Sequence, residues 1–475
     1  MAGLRFGSQG PEVMARQVQL IRLGFLAGEA DGVFDVATFQ AVRNLQRCLL
    51  LQPDGLIGCR TATAMDSATA SSDPSPLSQY RRLLLQGREL ASRGEASDDR
   101  LPLLDQGLAA SPLRLDPAGF ASSLAAAARP STFASPARPA GSARSYPPLG
   151  AIPPIHTDPQ APGGLSFLSD AVTQACLCIA EPAPDGAPLR VRWFGRRPLD
   201  CVQFWSATKW IAPLQLVCQA ARVSPGTPIA ATQVRSADGK AMAPFAELFE
   251  QMVSYAGDAA HPGRSNAIGY LFKQLRNAAE PDVQTWLRQF TGHSAPRFLG
   301  RYGCDPLFAD AELVGPGGEL LVAHGERPRS RNLVSAYDLV RMLTLLGWHL
   351  RLDQDQRLPW ARWSGLSTLV EGLGHDTARY IDHALMDLIL SSQIAEPVIL
   401  SKMGFGAETG DPSIDALTYA AFASVLDRRQ DPPIRRSFAL ALRIPTRPGA
   451  GIEADARMGS EVIELVRRLC SGALG

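Results

Sequence analysis

Residues 67–165 split this chain in two. The stretch is rich in Ala, Ser, Pro and Arg, most densely from Ala125 to Pro162, and it has no sustained apolar period. Such a segment cannot bury enough apolar surface to offset the entropy lost on ordering it. It reads as a largely disordered tether, interrupted by one helix over Tyr80 to Arg93. Whatever folds must therefore do so on either side of it. At 475 residues and 45% apolar content the chain has material for two independent cores. The expected layout is a small helical domain at 3–66 and an α+β domain at 166–475.

In the first domain, Gly7-Ser8-Gln9-Gly10-Pro11-Glu12-Val13 opens a helix that runs on through Phe25. Thr38 to Leu49 is a second, amphipathic helix, and Thr61 to Met65 starts a third. Between them lie Asp31-Gly32-Val33-Phe34-Asp35 and Asp54-Gly55-Leu56-Ile57-Gly58, a short internal repeat of Asp-Gly-apolar turns. Each supplies a glycine where positive φ is needed. Leu20, Leu23, Phe39, Val42 and Leu45 are read as helix core. This pattern resembles the small three-helix peptidoglycan-binding domain attached to many cell-wall hydrolases. The resemblance implies binding to wall polymer.

In the second domain the informative stretch is Ser206-Ala207-Thr208-Lys209, set between Phe204-Trp205 and the apolar run Trp210-Ile211-Ala212-Pro213-Leu214. On a helix, i and i+3 share a face, so hydroxyl and amine can meet. A serine needs a base to take its proton, and a lysine serves only if burial or nearby positive charge lowers its pKa. The apolar flanks favour burial. Arg264-Ser265-Asn266 then stands at a loop-to-helix junction, where Asn266 either positions a substrate or, with Ser265, caps the helix. Lys402-Met403-Gly404 follows the strand-like run Pro397 to Ser401. There the glycine leaves room beside a strand edge, and the lysine is either a site cation or a surface residue.

Taken in this order, the three elements resemble the penicillin-recognising serine hydrolases, which include the serine β-lactamases and the D-alanyl-D-alanine peptidases. The marks of that superfamily are Ser-x-x-Lys, Ser/Tyr-x-Asn and Lys-Thr/Ser-Gly. The frame agrees. Residues 175–180 and 189–195 read as a hairpin around Asp185-Gly186; Ala416 to Leu426 and Ser437 to Ile444 read as strands, and Gly459 to Cys470 as a closing amphipathic helix. The resemblance implies a β-lactamase-like fold with a five-stranded antiparallel sheet flanked by helices. It implies Ser206 as nucleophile, Lys209 as base, Asn266 as a substrate-positioning residue and Lys402 as a cation that attracts a substrate carboxylate and depresses Lys209. Arg264, Ser265, Met403 and Gly404 are then substrate-binding positions.

The chain also departs from the pattern. Arg264 stands where the second motif has a hydroxyl, with Ser265 one residue out of register. Met403 replaces the hydroxyl that helps hold a substrate carboxylate. The Glu-x-x-Leu-Asn motif of class A β-lactamases does not begin at Glu312, Glu319 or Glu326. An acyl-enzyme would lack its usual deacylating base. The implied ligands are β-lactams or D-alanyl peptides. The alternatives are a non-catalytic or weakly catalytic wall-binding protein on a hydrolase fold, or an esterase of the same fold.

With 47 basic and 46 acidic residues the net charge is +1, so nothing points to a nucleic-acid partner. No run of eighteen apolar residues predicts a membrane span. The first thirty residues have no basic-then-apolar export signal, although the reading places the protein at the cell wall or in the periplasm. Eight scattered cysteines show no Cys-x-x-Cys pair or Cys/His run. No metal or cofactor is expected, and Cys176 and Cys178 are read as strand core.

Overall fold

The computed structural model describes residues 3–22, 25–26, 29–48, 51–70, 76–97, 100–129, 143–158, 164–182, 185–325, 330–387, 394–408, 411–428, 433–471 and 474. The chain forms two compact bodies: residues up to 115 with 379–395 and 449–474, and residues 116–378 with 396–448.

The first body begins with α1 (Pro11–Arg22), α2 (Val36–Cys48) and α3 (Cys59–Ala70). Val13, Leu20, Phe34, Ala41, Val42, Leu45, Ile57 and Met65 form its core. Phe39 packs at the margin, and Leu23 lies outside the described residues. The Asp-Gly repeat is held by two equivalent locks. The Gln17 Nε2 donates to Asp31 Oδ1, Val33 O and Thr38 Oγ1 at 2.8, 3.0 and 3.0 Å, while Gly32 N donates to Gln17 Oε1 at 2.7 Å. Gln46 repeats this with Asp54, Leu56, Thr61 and Gly55 at 2.7, 2.9, 3.1 and 2.8 Å. Gly32 and Gly55 have φ of 74° and 75°, which only glycine takes at little cost. Both glutamines are buried, so each lock satisfies polar groups that would otherwise be orphaned.

The expected tether is not uniformly without structure. It contains α4 (Pro76–Ser92), α5 (Phe120–Ala127) and a short strand, β1 (Arg144–Ser145). Leu83, Leu90, Leu101, Leu103, Leu104, Phe120 and Leu124 are buried. The Ala/Pro background dilutes the apolar period of these leucines, which is why composition hid them. Residues 130–142 lie outside the described residues.

The second body is built on β2 (Gln174–Ala180), β3 (Arg190–Arg196), β4 (Val202–Gln203), β5 (Gln233–Arg235), β6 (Met242–Pro244) and β7 (Leu275–Arg276). Further along come β8 (Glu312–Gly315), β9 (Gly318–Ala323), β10 (Leu333–Val334), β11 (Ile394–Glu408), β12 (Asp411–Asp427) and β13 (Ile434–Thr446). The main sheet runs β1-β3-β2-β13-β12-β11. Five of these strands are the expected ones, and β1 adds a sixth, pairing antiparallel with β3. The β2–β3 hairpin, β2–β13 and β12–β13 are all antiparallel. Cys176 and Cys178 are buried in β2, as read. The strand carrying Lys402 is the edge of the sheet. A smaller sheet runs β6-β5-β8-β9-β7, and β4 pairs with β10.

The helices of this body are α5, α6 (Ile211–Val223), α7 (Phe245–Ser254), α8 (Arg264–Gln274), α9 (Val283–Thr291), α10 (Ala336–Gly347) and α11 (Trp363–Leu373). Every residue of α10 is buried, and it packs on β2, β12 and β13. Ser335 caps it in a reciprocal box with Asp338.

The chain returns to the first body with α12 (Tyr380–Asp387) and α13 (Gly451–Ser471). The expected closing helix, Gly459 to Cys470, is the second half of α13. Its partners are α4 and α12, which belong to the same body. Buried Asp455 of α13 ties this body together, accepting from Tyr380 Oη at 2.6 Å and from Leu103 N at 2.8 Å. Asp382 accepts from Ser111 Oγ at 2.6 Å and Arg379 Nη1 at 3.1 Å. Among the described residues no helix is long and apolar enough to cross a membrane.

Candidate active site

Strand β4 leads directly into the serine. Phe204 is fully buried, Trp205 turns the backbone into the left-handed region at φ 48°, and residues 205–208 form a single 3-10 turn. A bulky residue held at positive φ stores on the order of 1–3 kcal/mol of strain. Two contacts hold it there: Trp210 Nε1 donates to Ala207 O at 2.9 Å, and Thr208 Oγ1 donates to Trp205 O at 2.8 Å. Ser206 is half-buried, whereas Lys209 is fully buried just before α6.

The Lys209 amine donates to Ser265 Oγ at 2.7 Å. Ser265 in turn donates to Met252 O at 2.7 Å. Its backbone N–H donates to Asp258 Oδ1 at 2.8 Å, which fixes the first turn of α8. The structure thus places Ser265, rather than Asn266, at the lysine. Ser265, one residue after Arg264, is thus the hydroxyl of this element that meets the lysine. Asn266 is half-buried and makes no hydrogen bond among those of the described site residues. Arg264 turns to Gln251, its Nε donating to Oε1 at 3.0 Å.

A second lysine stands nearby. Lys402 is fully buried on β11, and its Nζ lies 3.2 Å from Asp376 Oδ1. Ser401 Oγ donates to the other oxygen of Asp376 at 2.9 Å. The Lys402 charge is therefore met inside the protein by Asp376. Tyr255 links the two lysines: its ring centre is 4.0 Å from Lys402 Nζ and 5.1 Å from Lys209 Nζ. Burial would push Lys402 down, but Tyr255 and Asp376 hold it above the ordinary lysine value. Lys209 shifts the other way: burial first, then the Lys402 charge, bring it well below the ordinary value.

Gly404 shows why the strand edge needs a glycine. A Cβ there would meet Phe204 O at 2.7 Å, Thr418 Oγ1 at 2.7 Å and Ala207 N at 2.8 Å. The strand backbone thus lies directly against the serine turn. Thr418 Oγ1 lies 2.9 Å from both Phe204 O and Gly404 O, bridging the two segments. Met403 is buried, with Tyr255 Oη donating to its Sδ at 3.0 Å.

The remaining surroundings come from distant parts of the chain. Tyr302 Oη is 3.0 Å from Thr208 Oγ1, and its ring centre is 5.8 Å from Lys209 Nζ. Lys273, buried beneath it, donates to Gly300 O and to Asn332 Oδ1 at 3.1 and 2.7 Å, which pins this segment. Glu312 belongs to the small sheet, paired with Arg235 at 2.6 Å, and Glu319 lies on β9 of that sheet. Glu326 lies outside the described residues. Tyr255, Asp258, Tyr302 and Asp376 carry no local motif. Only Tyr255, beside Ser254 at the end of an amphipathic helix, offered a signal, as a second Ser/Tyr pair to test against the pattern.

Several known proteins are similar to parts of this chain. The spore cortex-lytic enzyme of Bacillus cereus is 39% identical over 71 residues. That is 14% of this chain, and it spans 27% of that enzyme's own length. A crystal structure of TLA-3 extended-spectrum β-lactamase covers 63% of this chain and 96% of its own, at 10% identity and a TM-score of 0.36. The structure of PBP-A covers 67% and 100%, at 12% identity and a TM-score of 0.34. A β-lactamase from Streptosporangium roseum covers 64% and 95%, at 12% identity and a TM-score of 0.36. The sequence model of the putative peptidoglycan binding domain matches residues 9–65, the segment that folds around the two glutamine locks.

Proposed function

We propose that the chain is a serine hydrolase that works through an acyl-enzyme on Ser206, with peptidoglycan-type peptides as substrate and residues 3–66 holding the wall polymer. In this layout 166–475 supplies the hydrolase, and the protein acts at the cell wall or in the periplasm. The observation that carries the reading is the state of Lys209: a buried amine, depressed by burial and by Lys402, one turn after a half-buried serine. A neutral lysine at that place takes the Ser206 proton as Oγ attacks the carbonyl carbon. The Ser206 N–H and an N–H from the strand after Gly404 would receive the oxyanion. The proton then passes from Lys209 to the leaving nitrogen, with Ser265 and Tyr255 orienting the amine. Water completes the cycle by hydrolysing the ester.

A second reading, an esterase acting on neutral acyl groups, is favoured by Met403 and by the internal pairing of Lys402 with Asp376. Both remove groups that would otherwise greet a substrate carboxylate. One assay separates the readings: turnover of D-alanyl peptides and of carboxylate-free esters, each with wild type and Ser206→Ala. Turnover that survives Ser206→Ala unchanged overturns both. Loss of turnover on esters alone, with peptides untouched by the wild type, selects the esterase.

A further inference from the structure

Outside the serine site, three side chains from distant segments converge. Cys201 precedes β4, His293 follows α9 just beyond the left-handed Gly292, and Asp338 lies in the first turn of α10. One ligand atom from each, the Cys201 Sγ, a His293 ring nitrogen and an Asp338 oxygen, lies within 4.8 Å of the other two. His293 Nδ1 is 3.2 and 3.0 Å from the two Asp338 oxygens. From this geometry we propose that Cys201, His293 and Asp338 form a site for one divalent cation of the zinc class.

The dimensions fit. A tetrahedral ion with bonds of about 2.0–2.3 Å holds its ligand atoms roughly 3.3–3.7 Å apart. The cluster reaches that with sub-ångström to ångström adjustments. The donor set selects the ion: sulfur and imidazole nitrogen suit zinc, and disfavour magnesium and calcium, which take oxygen. A thiolate and a carboxylate together balance the double charge. The carboxylate is already oriented, because Ser335 N and Ser335 Oγ donate to Asp338 Oδ2 at 2.8 and 2.6 Å, while both of its oxygens stay within reach of the imidazole. Such outer contacts are what aim metal ligands. Helix capping accounts for the Ser335–Asp338 pair but not for a thiol arriving at the same point. Asp338 is fully buried, His293 is 8% exposed and Cys201 is half-buried.

The ion's role here is structural. Cys201 stands directly before β4, whose Val202 and Gln203 pair with Val334 and Leu333 of β10. A bound cation therefore fastens the strand that enters the serine turn to the start of α10.

The test is a Co²⁺ titration of the full, reduced, chelator-stripped chain, followed by absorbance. Saturation at one equivalent is expected, with a near-ultraviolet thiolate-to-cobalt band, tetrahedral visible bands and displacement by Zn²⁺. Cys201→Ser removes the near-ultraviolet band, whereas Cys304→Ser leaves it. Ser335→Ala weakens binding about 10–100-fold. A second measurement needs no variant: Zn²⁺ should slow alkylation of Cys201 by iodoacetamide, read by peptide mass. Absence of saturable binding, a band that survives Cys201→Ser, or alkylation of Cys201 unaffected by Zn²⁺ overturns the site.

Discussion

The Nζ of Lys209 lies 2.7 Å from the Oγ of Ser265, and this contact sets the register of the whole site. If Ser265 orients the base, Ser265→Ala lowers kcat by about 10²-fold, at the lower end of general acid–base effects. Asn266→Ala changes kcat only a few-fold, because Asn266 does not bond the lysine in this arrangement. Steady-state kinetics on any turned-over ester decides between them, and equal losses would restore Asn266 to the site.

In the proposed function Met403 sets substrate choice. Met403→Thr restores a hydroxyl beside Tyr255 and Gly404, where a substrate carboxylate would lie. A charge-assisted hydrogen bond is worth about 1.5–3 kcal/mol. The variant should therefore raise kcat/KM for carboxylate-bearing substrates roughly tenfold relative to neutral esters. Paired kcat/KM values for one acyl group, with and without the carboxylate, measure this directly.

Lys209 is held below the ordinary lysine value by burial and by Lys402, so its presence works against stability. The unfolded chain binds this proton more tightly than the folded one. The cost is thus full at low pH and shrinks as pH rises from the lowered folded value towards the ordinary lysine value of 10.5. Lys209→Met should abolish acylation while raising stability near neutrality by about 1–2 kcal/mol. Urea denaturation shows the gain, and it should fade towards alkaline pH. The acid limb of the wild-type pH–rate profile falls below the ordinary lysine value for the same reason.

Asp455 gives the first body its own pH dependence. Burial pushes its carboxyl up to about 7, outweighing the hydrogen bonds from Tyr380 and Leu103. Its folded pKa is above the ordinary aspartate value of 3.8, so its folded state favours the proton. Stability is highest at acid pH, falls between about pH 4 and 7, and is flat above that. The total is on the order of 4 kcal/mol. Asp455→Asn can still accept from Leu103 N and donate to Tyr380 Oη, and it should flatten this slope in thermal melts across that range.

Much of this was legible in the chain because it rests on short spacings. Ser206 and Lys209 are three apart, the Asp-Gly turns repeat with their helices, and the strand-like runs at 175–180, 189–195, 397–401, 416–426 and 437–444 fall on β2, β3, β11, β12 and β13. What stayed hidden is set by tertiary approach. Gln17 and Gln46 look like helix-surface residues until the turns fold over them. Tyr255, Asp376 and Tyr302 reach the lysines from separate segments, with no spacing to announce them. Asn266 and Ser265 differ by about 100° around a helix, and only the packing of α8 decides which faces Lys209. The leucines of 83–104 were masked by their Ala/Pro neighbours. The convergence of Cys201, His293 and Asp338 spans more than a hundred residues of chain.

The central claim is that Ser206 is an activated nucleophile. It is tested most directly by intact mass after exposure to a fluorescent penicillin and to the same molecule with its carboxylate esterified, using wild type and Ser206→Ala. The account predicts a covalent adduct on wild type with at least one of the two, long-lived because the Glu-x-x-Leu-Asn motif does not begin at Glu312, Glu319 or Glu326, and none on Ser206→Ala. No adduct with either reagent, or equal adducts on both proteins, would contradict it.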